Sequence, residues 1–362
     1  MHTTLPNRQL KTLSRADGDF SKYLDGSFSE TMIALPIRSL NVGLPSEQIT
    51  FEVVSRDSVS TPSFGVIAST LARPSTLVFS IGTMWVAWMH ILSSGRVQSS
   101  FLALSAFCGV LIFHVAVNLL NDYGDHMKGQ DRMRPFGGSR AIQKGWVRAH
   151  TVRKWAVGLI GLSVLLGIPA ALASPVIVIA AIALLIALEF AFQKLRLKAR
   201  GWSEILAFAM AGPLLTCGFS WAVSQEMAFT DATLGLTTGL IALLYFHSAN
   251  LENIMADSQA GASTWATRTG FEASILFFVA IAMLIPAASA FQAGSDRNVI
   301  LVLVGVIQAA FLIPVVTKVR KLASPLSSDL VGLRYTVLRL AWLTVIALSA
   351  AYAATFFFGF QA

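Results

Sequence analysis

Residues 99–125 read SSFLALSAFCGVLIFHVAVNLLNDYGD. Up to Asn121 the stretch holds no Asp, Glu, Lys or Arg, and about 20 apolar residues in a helix cross a hydrocarbon core about 30 Å thick. It then turns acidic, with Asp122 and Asp125 at its end and Asp131 just beyond. On a helix, His114, Asn118, Asn121 and Asp125 stand 4, 3 and 4 residues apart and make one polar stripe. A stripe of this kind on a membrane helix is costly unless it faces a partner or a wet cavity. The stretch therefore predicts a membrane span whose end carries chemistry.

A second segment reads almost alike. Residues 246–257 run FHSANLENIMAD, and both segments contain Asn-Leu-x-Asn-x-x-x-Asp, at 118–125 and 250–257, preceded by Phe-His. His247, Asn250, Asn253 and Asp257 are spaced 3, 3 and 4, which predicts a matching stripe. Two stripes at one depth can satisfy each other across a shared cavity. His114, Asn118, His247 and Asn250 are expected to line it, the histidines as packed hydrogen-bond partners rather than catalytic bases. Carboxylate and amide oxygens are hard ligands that suit Mg²⁺ or Mn²⁺, and magnesium usually bridges a few carboxylates to phosphate oxygens. The metal set expected here is Asn121, Asp122, Asp125, Asp131, Glu252, Asn253 and Asp257, with Asp122, Asp125 and Asp257 carrying catalysis. Beside the first stripe lies a basic, glycine-containing loop with Lys128, Arg132, Arg134 and Gly137-Gly138-Ser139-Arg140. Arg forks and exposed backbone N–H groups fit diphosphate oxygens, and Lys198 and Arg200 are placed at the same rim.

The rest of the chain supports a membrane bundle. Of its 362 residues 55% are hydrophobic and 13% charged, and mean hydropathy is +0.65, whereas soluble domains carry about 25% charged residues. This excludes a secreted disulfide scaffold, a coiled coil and a disordered chain. Nine candidate spans fall at about 75–93, 99–121, 153–172, 175–193, 203–224, 232–250, 270–292, 299–317 and 337–358. Of the 27 Lys and Arg residues, 25 fall on one side of that topology and only Arg96 and Arg297 on the other. By the positive-inside rule the N-terminus is cytoplasmic and the C-terminus outside. The formal net charge of +8 is explained by these loops, so no nucleic-acid partner is expected. Cys108 and Cys217 lie within apolar stretches and read as small core residues. Glu189, near the end of the fourth span, reads as snorkelling or paired with a neighbouring base.

Residues 1–62 hold 13 of the 46 charges, and their only periodic feature is a strand-like stretch at 49–54. They are expected to form a flexible cytoplasmic extension, with 63–362 as the nine-helix membrane domain.

These residues resemble the UbiA superfamily of membrane prenyltransferases. The first signature of that family, Asn-Asp-x-x-Asp with a further acid downstream, reads here Asn121-Asp122-Tyr123-Gly124-Asp125 with Asp131. NLLNDYGDHMKGQD (118–131), RPFGGSRAIQKG (134–145), LKARGWSE (197–204), GPLLTCG (212–218) and the Arg73-Pro74 pair are similar to the 1,4-dihydroxy-2-naphthoate polyprenyltransferase branch. The resemblance covers roughly 70–358 and implies a bundle of nine transmembrane helices. It adds Arg73 to the diphosphate-binding set. The second signature, Asp-x-x-x-Asp, departs: Asn253 stands where the first Asp belongs, Asp257 matches the second, and Glu252 lies one position away. If Glu252 turns inward to replace the missing carboxylate, Glu252→Gln should be more damaging than Asn253→Ala.

The activity implied is Mg²⁺-dependent transfer of a polyprenyl group from polyprenyl diphosphate to an aromatic acceptor. That acceptor would be 1,4-dihydroxy-2-naphthoate or a related quinone precursor, and the enzyme would sit in a bacterial inner membrane with its site on the cytoplasmic side. The alternatives are another acceptor on the same scaffold, a terpene cyclase, a relative that only binds prenyl diphosphate, or a membrane transporter. Transporter sites, however, sit near the bilayer midplane between broken helices, not at helix ends beside a phosphate-type loop.

Overall fold

The computed structural model describes residues 9–133, 137–173 and 201–359, together with 178–179, 181–182 and 185. Among these residues eight helical segments are long and apolar enough to span a membrane: Pro74–Ser93, Ser100–Lys128, Ala149–Leu172, Ser203–Ser224, Phe229–Glu252, Phe271–Ser295, Ile300–Val319 and Ser328–Phe358. Each overlaps one of the expected spans. The remaining one, at 175–193, lies outside the described residues apart from the few named above.

In chain order the elements are β1 (Gln9–Ser14), α1 (Phe20–Asp25), β2 (Met32–Leu40), β3 (Gln48–Ser55), α2 (Phe64–Ala72), α3 (Ile81–Ser93), α4 (Ser100–Lys128), α5 (Gln130–Met133) and α6 (Ala149–Leu172). They continue with α7 (Ser203–Ala211), α8 (Pro213–Ser224), α9 (Phe229–Glu252), α10 (Ile254–Gln259), α11 (Trp265–Thr269), α12 (Phe271–Ser295), α13 (Ile300–Val319) and α14 (Leu333–Phe358). A 3₁₀ turn at Pro74–Phe79 leads into α3.

Lipid offers no hydrophobic drive between helices, so close approach through small residues and interhelical hydrogen bonds must hold them together. On α4 and α6, Gly109 approaches Gly167, the Ser163 hydroxyl donates to the Gly109 carbonyl at 2.9 Å, and Ser105 donates to the Leu166 carbonyl at 2.6 Å. The α7–α8 break at Gly212-Pro213 is pressed against α9. A Cβ on Gly235 would lie 2.5 Å from Thr216 Oγ1 and 2.7 Å from Pro213 Cα. Gly235→Ala must therefore move backbone, and it should destabilise the bundle by about 1–3 kcal/mol, read as a lower unfolding midpoint in detergent. Gly158→Ala, where a Cβ meets nothing within 4 Å, should leave that midpoint unchanged.

At one end of the bundle the polar groups pair among themselves. Arg96 forks onto Asp231 at 2.8 and 3.2 Å, and the Tyr352 hydroxyl donates to Asp296 at 2.8 Å. His90 lies between the two acids, 3.4 Å from Asp231 and 3.6 Å from Asp296. This closes that end by joining α3, α9 and α14.

At the other end, the described residues 9–62 of the segment expected to be a flexible extension are folded. β1, β3 and β2 form an antiparallel sheet in that order, with Leu10 opposite Glu52 and Ala34 opposite Val53. Ile49, Phe51 and Val53 point inward from β3 and pack with Leu13, Phe20 and Leu24. Only β3 alternates cleanly enough to be visible in the sequence. In β2, Pro36 lies beside a register shift between Pro36 and Arg38, which an edge strand tolerates and which blurs the period.

Candidate active site

Ser99 caps the start of α4, its hydroxyl accepting from Leu102 N at 3.2 Å, and Gly129 ends the helix in the left-handed region. One unbroken helix thus carries the whole first stripe. His114, Asn118, Asn121 and Asp125 all line a single cavity of about 370 Å³. His114 Nδ1 lies 2.8 Å from the Ser80 hydroxyl, and the Asn118 amide donates to the Ala72 carbonyl at 2.8 Å. The stripe is therefore fixed to the segment that leads into α3. Much of the remaining lining is apolar and aromatic, with Phe79, Phe113, Val117, Leu214, Phe219 and Tyr245 among it.

Asp122, which is not part of the stripe, is not among the residues that line the cavity. Its Oδ1 takes the Arg73 guanidinium and accepts from Ser139 N at 3.2 Å, while its buried Oδ2 has no hydrogen-bond partner. Arg73 sits in the left-handed region (φ 50) and reaches the cavity. Burial pushes its guanidinium below the ordinary value, and the charges of Asp131 and Asp125 oppose that shift. Gly138, also left-handed (φ 61), passes so close that a Cβ would lie 2.9 Å from Asp131 Oδ2 and 3.2 Å from Asp122 Oδ1. Only glycine brings this backbone between the two acids. Asp131 is buried on α5, where the Gln143 amide donates to its Oδ2 at 3.2 Å.

The second stripe is realised in part. α9 stops at Glu252, and Asn253 (φ −107, ψ 11) caps a separate short helix, α10. Asn250 and Asn253 line the cavity. His247 does not: it is buried with Nε2 2.8 Å from the Ser274 carbonyl, and Nδ1 lies 3.9 Å from Glu204. Asp257, fully buried on α10, is not part of the cavity lining, although α10 packs against α5, the helix that carries Asp131. The helix break at Asn253 is the physical reason, because it rotates everything beyond it off the α9 stripe.

Glu252 does not turn inward. Its Oε1 accepts the Arg334 backbone N–H at 2.7 Å and its Oε2 lies 3.4 Å from Arg334 Nε. It anchors the first turn of α14 instead of supplying the missing carboxylate. Arg334 itself lines the cavity. Sequence reasoning used it only for orientation; its position at the foot of the last span was the available signal. Glu204 was also missed. It is buried at the start of α7, receiving Ser203 Oγ at 2.7 Å and the Asn250 amide at 2.6 Å, and its one clue was an acid within LKARGWSE.

Of the basic residues expected at the diphosphate, Arg73 lines the cavity. Arg132 is engaged with Glu47 of the N-terminal sheet, and Arg140 donates to the Asp131 carbonyl at 3.0 Å. Neither these two nor Lys128 lines the cavity. Arg134, Lys198 and Arg200 lie outside the described residues.

Hard oxygen donors therefore line a largely apolar cavity. Among the described residues no three His, Cys, Asp or Glu groups form a self-contained metal cluster. Asn253 Oδ1 and Asp122 Oδ2 are nevertheless buried without hydrogen-bond partners, and such oxygens call for a cation or donor to satisfy them. This fits a hard divalent ion that completes its shell with substrate oxygens.

A model of the UbiA prenyltransferase family matches residues 79–330. The chain belongs to the UbiA prenyltransferase family. It is thus an enzyme of the prenyltransferase class and an integral membrane protein. This UbiA chain is similar to the 1,4-dihydroxy-2-naphthoate octaprenyltransferase of Haemophilus influenzae, at 25% identity over 209 residues, covering 55% of this chain and 68% of the relative. The protein of the same name from Mycobacterium tuberculosis is 27% identical over 206 residues, with the same coverage of 55% and 68%. Among solved structures, a UbiA homologue from Archaeoglobus fulgidus bound to GPP and Mg²⁺ superposes with a TM-score of 0.58 at 13% identity, covering 80% of this chain and 99% of that one. A digeranylgeranylglyceryl phosphate synthase superposes at 0.53 with 16% identity, covering 79% and 98%. These likenesses show the fold.

Proposed function

We propose that the protein transfers a polyprenyl group from its diphosphate to 1,4-dihydroxy-2-naphthoate or a related aromatic quinone precursor, with Mg²⁺ (or Mn²⁺) as the metal. The observation that carries this reading is the cavity itself. Asn121, Asp125, Asn253, Arg73 and Arg334 line it together with aromatic and aliphatic side chains. The names of the H. influenzae and M. tuberculosis relatives support the acceptor, and the ligands of the archaeal homologue support the metal and the diphosphate.

Asp125, Asn121 and Asn253 would hold the metal, with Asp122 completing the set through its uncompensated Oδ2. When bound, the divalent ion supplies positive charge to the diphosphate leaving group. Arg73 and Arg334 bind and orient the same oxygens, a role in which fixed charge acts most strongly where water is excluded. The allylic C–O bond breaks with its electron pair going to diphosphate. Tyr245, Phe79 and Phe113 present aromatic faces to the allylic cation and keep water away. An electron-rich ring carbon of the acceptor then forms the new C–C bond, and the ring proton passes to the released diphosphate.

The excess of Lys and Arg on one side of the expected topology supports a site at the cytoplasmic face of a bacterial inner membrane, with the N-terminus cytoplasmic and the C-terminus outside. The test is incubation of membranes containing the protein with labelled geranylgeranyl or longer diphosphate, Mg²⁺, and dihydroxynaphthoate, hydroxybenzoate or homogentisate in turn. Labelled lipid product with dihydroxynaphthoate is expected. Folded protein giving no product with any of the three would refute the reading.

A further inference from the structure

The family match begins at residue 79, so the N-terminal sheet precedes it, yet that sheet is joined to the acid-bearing end of α4 at several points. Glu47, fully buried, is held by Arg15 at 2.6 Å on one oxygen and by Arg132 on the other. Arg132 also donates to the His126 carbonyl at 3.0 Å. Gly129, the left-handed residue between α4 and α5, lies so near the turn after β2 that a Cβ there would come within 2.4 Å of Val42. Arg132 directly follows Asp131.

A second connection runs through side chains. His126 Nε2 lies 2.8 Å from the Leu24 carbonyl at the end of α1. A carbonyl only accepts, so Nε2 carries the proton and Nδ1 must accept. The donor at Nδ1 is the Gln143 amide at 3.3 Å, and the same amide nitrogen donates to Asp131 Oδ2 at 3.2 Å. The N-terminal module thus reaches Asp131 by two routes, Glu47–Arg132 and Leu24–His126–Gln143. Asp131 in turn flanks Gly138 opposite Asp122.

We infer that the N-terminal sheet is a built-in positioning element of the active site, with Glu47 and Gln143 as positioning residues that fix Asp131 and the Gly138 backbone beside Asp122. This rests on the metal and diphosphate reading above for its consequence, but not for the coupling itself. The sheet also removes Arg132 from the substrate and uses it as an anchor. Outer groups that orient a metal-binding carboxylate typically change metal affinity 10–100-fold when lost.

The experiment uses the full-length protein in detergent or membranes, with two readouts. The first is hydrogen exchange in peptides covering 126–133 and 137–147, which needs no activity. The second is the Mg²⁺ concentration for half-maximal transfer, with KM for prenyl diphosphate and for acceptor. Glu47→Ala should speed exchange in both peptides, raise the Mg²⁺ half-saturation and the prenyl-diphosphate KM about tenfold, and leave the acceptor KM unchanged. Gln143→Ala should do the same through the other route. Because Arg132 is the partner of Glu47, Glu47→Ala/Arg132→Ala should be no worse than either single change. Should Glu47→Ala fold poorly, Glu47→Gln, which keeps a side-chain oxygen for Arg15 and Arg132, should shift both readouts in the same direction by less. Unchanged exchange would overturn the coupling. Faster exchange with unchanged metal and diphosphate dependence, or effects that simply add, would overturn the positioning role. Wild-type protein inactive with every acceptor would refute the functional reading, while exchange alone would still decide whether the sheet holds the loop.

Discussion

Asp125→Ala should lower prenyl transfer on the order of 10³-fold at saturating Mg²⁺ while the protein still inserts into membranes. Asp125 is the carboxylate of the α4 stripe that reaches the cavity, and loss of one preorganised charge-stabilising group typically reduces turnover 10²–10³-fold, with loss of the metal adding to it. Asp257→Ala should also abolish transfer, but by a different route. It is buried behind the wall on α10, so its loss should loosen α10 against α5 as well as weaken the site. The measurement is label transfer per folded molecule, with folding followed by monodisperse elution. Near-normal turnover in Asp125→Ala would sink the metal assignment. The neighbouring pair behaves opposite to the expectation drawn from the sequence: Asn253→Ala should now raise the Mg²⁺ requirement more than Glu252→Gln. Asn253 offers an uncompensated oxygen, whereas Glu252 is engaged with Arg334.

What could be read from the chain, and what could not, follows from how far each signal travels along it. The spans were legible because hydropathy accumulates over about 20 residues and survives local irregularity. The His114, Asn118, Asn121, Asp125 stripe was legible because one helix, Ser100–Lys128, carries all four, so spacing alone sets their face. Of the 247–257 stripe, only Asn250 and Asn253 reach the cavity, so spacing was a partial guide. A helix end is decided by cap geometry at one residue, and an Asn can sit within a helix or end one. The fate of Glu252 turned on Arg334, 82 residues away, and the fate of Arg132 on Glu47, 85 residues away. Neither pairing leaves a periodic mark. The N-terminal sheet was obscured for the same reason. Its strands pair across turns, and two of the three lack clean alternation.

Arg73→Ala should be the most disruptive single change at the site, because it removes two things at once. Asp122 is buried and its Oδ1 is held by the Arg73 guanidinium, so truncating the arginine leaves a buried charge uncompensated, at about 3–5 kcal/mol. Arg73 also lines the cavity, where the reading above assigns it to the diphosphate. A double substitution separates these roles. In Arg73→Ala/Asp122→Asn the orphaned charge is gone, so the unfolding midpoint in detergent should recover most of what the single change lost. Transfer should stay low, because neither the diphosphate cation nor the Asp122 carboxylate returns. Arg73→Lys should keep the midpoint closer to wild type yet still raise the prenyl-diphosphate KM, since an ammonium cannot serve Asp122 and a diphosphate oxygen with one planar fork. If the double variant regained transfer along with stability, Arg73 would be a structural partner of Asp122 alone. The cationic role at the leaving group would then fall to Arg334, the other described arginine on the cavity wall.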